Sequence, residues 1–96
     1  MREIELLGVR ARVARTCLER MRGLIGRDKP RAGEGLLIEK CNCIHTFFMR
    51  YSIDATFLDG EDHVVKVVRG IRPYRLWVWG GWKARKVLET PSIELV

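Results

Sequence analysis

Ninety-six residues, 47% of them apolar, make one domain around one core; a chain this short buries only about 60–65% of the surface its unfolded form exposes. No apolar run approaches the roughly 20 residues that span a bilayer, and the charged N-terminus holds no apolar signal stretch. The expected location is therefore the cytoplasm, with no membrane partner.

The net charge is +6 and uneven. Residues 1–31 hold nine Lys/Arg against four Asp/Glu, and a basic end of this kind raises affinity for phosphate-bearing partners. Cys17, Cys41 and Cys43 are an odd number, which is no disulfide framework. Thirteen Arg, a single Asn and no Gln fit a protein selected for heat, where amides degrade.

In chain order, "EIELLGVRARVART" reads as two short strands around Gly8, because Val9, Ala11 and Val13 alternate with Arg10, Arg12 and Ala14. Thr16 to Glu19 has the form of a capping box, and Leu18, Met21 and Leu24 follow at helical spacing. A short helix is expected over 17–25, closed by Gly26. "RDKPRAGEG" is a loop and "LLIEK" a strand. "CNCIHTFFMRYSIDATFLD", residues 41–59, supplies one or two more strands. "DGED" is a turn into the strand "HVVKVVRGI", which Pro73 ends. "LWVWGGWKARKVLET" holds a strand, a Gly80-Gly81 turn and another strand; "SIELV" reads as a final edge strand.

The 41–59 stretch raises several chemistries. In an extended chain Cys41, Cys43 and His45 share a face but stand about 6.6–6.8 Å apart, too far for one zinc ion without a turn. No metal or cofactor is therefore expected. Cys43 and His45 also match the residue types of an activated thiol, but two groups on one strand orient an imidazole onto a sulfur poorly. Phe47 and Phe48 would point to opposite faces of a central strand. A buried Arg50 needs a carboxylate, and Asp54 is the nearest in sequence. In "RPYRLWVWGGW", Trp77 and Trp79 share a strand face; with Arg72, Arg75 and Lys83 nearby they suit either stacking on nucleobases or, as is commoner, covering the core.

"RTCLERMRGLIGR", "GEGLLIEKCNCIHTFFMRYSIDATFLD", "VVKVVRGIRPYR" and "KVLET", in this order and spacing, resemble the domain-of-unknown-function 192 family over about residues 10–90. The resemblance implies a compact β-rich α+β domain of archaea and bacteria and carries no established activity. Its polar motif positions correspond to Arg27, His45, Thr46, Met49, Arg50, Asp54 and Asp59. Relatives follow this region with a Gly-containing turn and a further strand, where this chain has "ETPSIELV".

The expectation is thus a single α+β domain over 1–96, compact and β-rich, either barrel-like or an antiparallel sheet, with one short N-terminal helix. A non-catalytic binding module is expected, monomeric by default, with His45, Thr46, Arg50, Asp54 and Arg27 around a polar pocket for a small anionic ligand. The alternative is an RNA-associated protein using Arg10, Arg12 and Arg15. An enzyme employing Cys43 or His45 ranks third.

Overall fold

The computed structural model describes residues 2–14, 29–47 and 49–92. It contains eight strands: β1 (Arg2–Leu6), β2 (Val9–Ala14), β3 (Glu34–Glu39), β4 (Cys43–Ile44), β5 (Ile53–Leu58), β6 (Val64–Ile71), β7 (Val78–Trp79) and β8 (Lys86–Pro91). Six of them form one sheet in the order β1-β2-β3-β8-β5-β6, and β4 pairs with β7 in a two-stranded sheet.

Local sequence accounts for the hairpins. Leu6 pairs with Val9 across a two-residue turn in which Leu7 and Gly8 both have positive φ, as a type I′ turn requires. The Asp59 carboxylate accepts from the amides of Glu61 and His63 and so closes the turn between β5 and β6. Burial follows position in the sheet. The run Gly35 to Ile38 in β3 is buried throughout, as in a strand covered on both faces, whereas β6 lies at an edge and is mostly exposed.

The larger core cluster joins Leu36, Ile53, Phe57, Ile71 and Val87 of the main sheet to Ile44 and Val78 of the small one. The small sheet therefore packs over one face of the large sheet. Ala11, Val13, Leu37, Leu58 and Leu88 form a second cluster on the other face.

Two expectations are corrected. The described residues are all-β, with no helix among them, so the α+β class does not hold; the helix expected over 17–25 lies outside the described residues. The sheet is mixed, because β2 and β3 run parallel while its other junctions are antiparallel. It is also open among the described residues, with β1 and β6 as edges rather than a barrel seam. The strand before the Gly80-Gly81 turn pairs with β4, and β8, after the turn, inserts between β3 and β5. No helix of the described residues is long and apolar enough to cross a membrane.

Candidate functional site

Thr46 joins two segments that are far apart in the chain. It is fully buried, and its hydroxyl donates to the Arg72 carbonyl (2.7 Å) and accepts from the Arg75 amide (2.8 Å). Its own amide donates to the Arg75 carbonyl, and its carbonyl accepts from the Tyr74 amide. Both functions of the hydroxyl are thus spent on backbone. Thr46 positions residues 72–75 and presents nothing to a ligand.

The segment it anchors runs on through β7 of the small sheet and forms a ridge of exposed side chains. Val78, Gly80 and Ala84 face inward and are buried. The alternating positions face out: Trp77 is 65% exposed and Trp82 83%, with Tyr74, Leu76 and Trp79 exposed beside them. The reason is room. A Cβ built at Gly80 would fall on the ring of Phe57, so the space under the ridge is already filled and no tryptophan fits inward. The expectation that these tryptophans cover the core is therefore overturned. Trp79 and Trp82 meet edge to face at 5.0 Å.

The ridge is cationic. No acidic residue lies between Asp62 and Glu89, whereas seven Lys/Arg do. Lys66 donates to the Trp79 carbonyl and Arg85 to the Trp82 carbonyl, which ties two of these cations to the ridge backbone. Lys86 pairs with Asp62 and Arg69 with Asp54. Among the described residues, Arg72, Arg75 and Lys83 engage no carboxylate and are exposed.

The residues expected at a polar pocket part company here. His45 is exposed and adjoins the ridge through Phe47, its ring centroid 5.9 Å from that of Phe47, which lies 6.0 Å from Tyr74. Asp54 sits between Ile53 and Ala55, whose side chains enter the larger cluster, so its carboxylate points to the opposite face of the sheet. There it accepts from the Gly70 amide (2.8 Å) and meets Arg69 at 4.0 Å. The expected Arg50–Asp54 pair is replaced by Arg69–Asp54, and Arg50 is exposed. Arg27 and Arg15 lie outside the described residues.

Arg10 and Arg12 are exposed on β2, but acids stand across from them. Arg10 is flanked by Glu5 and Glu34, and Arg12 faces Glu3. Cross-strand pairs of opposite charge hold the local field near neutral. As for the thiol reading, His45 Nδ1 accepts from the Phe47 amide, while the Cys41 thiol donates to the Cys43 carbonyl. Phe47 lies in a turn rather than a strand, and Phe48 is outside the described residues.

Glu89 was not anticipated. It is 4% exposed, and burial pushes its carboxyl up to about 8. It is directly opposite Leu36 on one side and Ala55 on the other, two members of the larger cluster. The signal in the sequence is one acid within the otherwise apolar "VLE" of a strand, legible only once that strand is known to be central.

A family model described as "Uncharacterized ACR" matches residues 2–94. The chain belongs to the domain-of-unknown-function 192 family. A curated UPF0127 protein of Thermococcus sibiricus is 38% identical over 88 residues, which are 85% of this chain and 54% of that protein. The chain thus spans about half the length of that relative. Two crystal structures share the fold. A protein of unknown function from Novosphingobium aromaticivorans has a TM-score of 0.79 at 20% identity, over 88% of this chain and 64% of its own. A Sinorhizobium meliloti protein described as a "putative transcription regulator" has a TM-score of 0.80 at 15% identity, over 88% and 69%. At these identities the likeness is one of fold. The domain-of-unknown-function 192 fold accordingly accounts for the sheet and leaves the role of the ridge to its own residues.

Proposed function

We propose that this chain is a binding module that holds single-stranded nucleic acid along the ridge of residues 72–85. The observation that carries this reading is the exposure of Tyr74, Leu76, Trp77, Trp79 and Trp82 within a stretch that has cations and no acid. Exposed rings stack on unpaired bases without regard to sequence, and Arg72, Arg75 and Lys83 are the phosphate partners. A duplex keeps its base faces covered, so the rings favour a single strand. The anionic ligand expected near His45 becomes, in this reading, a polyanion crossing a surface rather than a small ion in a pocket.

The test is fluorescence anisotropy with a labelled oligouridylate and a duplex of equal charge, each at two salt concentrations. The single strand should bind more tightly, and its affinity should fall steeply with salt. Trp77→Ala and Trp82→Ala should each weaken binding by roughly 1–3 kcal/mol per lost stack. Arg72→Glu with Arg75→Glu should weaken it further, and Arg10→Glu with Arg12→Glu should change it little. No binding at low salt, or equal affinity for the duplex, would reject the ridge; a dominant effect of Arg10 and Arg12 would move the interface to the N-terminal third.

A further inference from the structure

Trp79 and Trp82 flank the Gly80-Gly81 turn and meet edge to face, with centroids 5.0 Å apart and planes at 84°. Glycines give a chain little conformational preference of its own, and Gly81 sits at φ +97°. The setting of the two rings is therefore not determined by the turn alone. Its middle is held by the Gly80 amide, which donates to the Asn42 carbonyl at 2.7 Å. Its two ends are held by cations. Lys66 Nζ donates to the Trp79 carbonyl at 2.9 Å, and Arg85 Nη1 bridges the Trp82 and Ala84 carbonyls at 2.9 and 3.1 Å.

Both cations reach from anchored backbone. Lys66 stands opposite Phe57 in the β5–β6 pair. The Arg85 amide donates to the Leu58 carbonyl at 2.7 Å, and the Arg85 carbonyl accepts from the Cys41 amide at 2.9 Å. Each side chain thus ties the carbonyl of one tryptophan to the main sheet. The cations of the ridge divide accordingly: Arg72, Arg75 and Lys83 engage no carboxylate and stand exposed, whereas Lys66 and Arg85 are turned onto the backbone beside the rings.

We propose that Arg85 and Lys66 are positioning residues: they set Trp79 and Trp82 as one stacking element for a base of the bound strand, and they do not themselves contact phosphate. The inference rests on the single-strand reading of the ridge. A ring held in place beforehand loses little freedom when a base stacks on it. The two ties therefore add to affinity without adding to its dependence on salt, which counts phosphate contacts.

Two indoles this close couple electronically and give a paired positive and negative band in the circular dichroism spectrum, which Trp82→Phe should abolish. Arg85→Met keeps most of the stem and removes the donors. It should weaken that band in the free protein and lower oligouridylate affinity about five-fold, the weight of one hydrogen bond. The slope of log affinity against log salt should stay as in the unmodified protein, whereas Arg75→Ala should reduce it by about one. Arg85→Lys, which keeps a donor, should recover part of both the band and the affinity, and Lys66→Met should behave as Arg85→Met does. Urea unfolding checks that each variant is folded under the binding conditions. A band or an affinity untouched by Arg85→Met, or a salt slope that falls as far as it does for Arg75→Ala, overturns the positioning role and leaves the ridge standing. If the unmodified protein binds no strand, both readings fall.

Discussion

Gly80 packs against the ring of Phe57, with no room for a Cβ between them. Phe57 is fully buried on β5, so the ridge rests on the largest side chain of the core. Gly80→Ala should therefore destabilise the domain by about 1–3 kcal/mol through overpacking. Phe57→Ala should cost about 3–5 kcal/mol through lost burial and a cavity. The cavity would make space for the new methyl, so the double variant should be more stable than the sum of the two losses predicts. Urea unfolding of the four proteins checks this; strictly additive losses would mean that the two residues do not touch.

Thr46→Val keeps the shape of the side chain and removes its hydroxyl. The Arg72 carbonyl and the Arg75 amide each lose a partner in a partly buried place. The expected cost is about 1–3 kcal/mol. Amide hydrogen exchange should speed up at Tyr74 and Arg75 more than in β8. Uniform acceleration across the sheet would show that Thr46 serves the whole core and not the anchor.

Glu89 sets a pH dependence. Burial raises its carboxyl from the ordinary 4.5 to about 8 in the folded chain. The unfolded chain releases the proton above about 4.5, while the folded chain retains it until about 8. The protonated carboxyl's contribution is therefore fully present below about 4.5 and is lost as the pH rises toward 8, by up to about 1.4 kcal/mol per pH unit. Glu89→Gln should flatten this slope, leave stability at pH 4 little changed and exceed the unmodified protein at pH 8. Chemical denaturation at several pH values reads the slope, and parallel curves for the two proteins would reject a neutral buried Glu89.

Asp54 couples to Arg69, across the β5–β6 pair, and not to Arg50. Arg69 is well exposed, so a double-mutant cycle should return a small coupling of about 0.2–1 kcal/mol. Asp54→Asn should cost more than Arg69→Ala, because the carboxylate also accepts from the Gly70 amide. The same cycle with Arg50 should give no coupling, and a larger value for Arg50 than for Arg69 would restore the pairing expected from sequence proximity.

Much of the strand inventory was legible in the residues alone. The β1–β2 hairpin follows from alternation on either side of Leu7-Gly8, and the β5–β6 hairpin from Asp59-Gly60 between apolar runs. These are short-range signals, written in side-chain period and in turn residues that tolerate positive φ. Thr46 stood among the residues expected at an anionic-ligand pocket, whereas its hydroxyl engages the backbone of Arg72 and Arg75.

Only the tertiary structure decided how those pieces meet. Nothing local places β8 between β3 and β5, or β4 beside β7, because pairing between distant strands depends on the whole core. Trp77 and Trp79 share a face, as the alternation implies; that this face is outward is set by Phe57 under Gly80. Thr46 became an anchor only when Arg72 and Arg75, 26 and 29 positions along the chain, arrived within hydrogen-bond distance. Glu89 and Asp54 differ for the same reason. Both are acids on neighbouring central strands, but one faces the apolar cluster and holds its proton, whereas the other meets Arg69 and the Gly70 amide. The side a residue faces follows from its period; what lies on that side is contributed by distant parts of the chain.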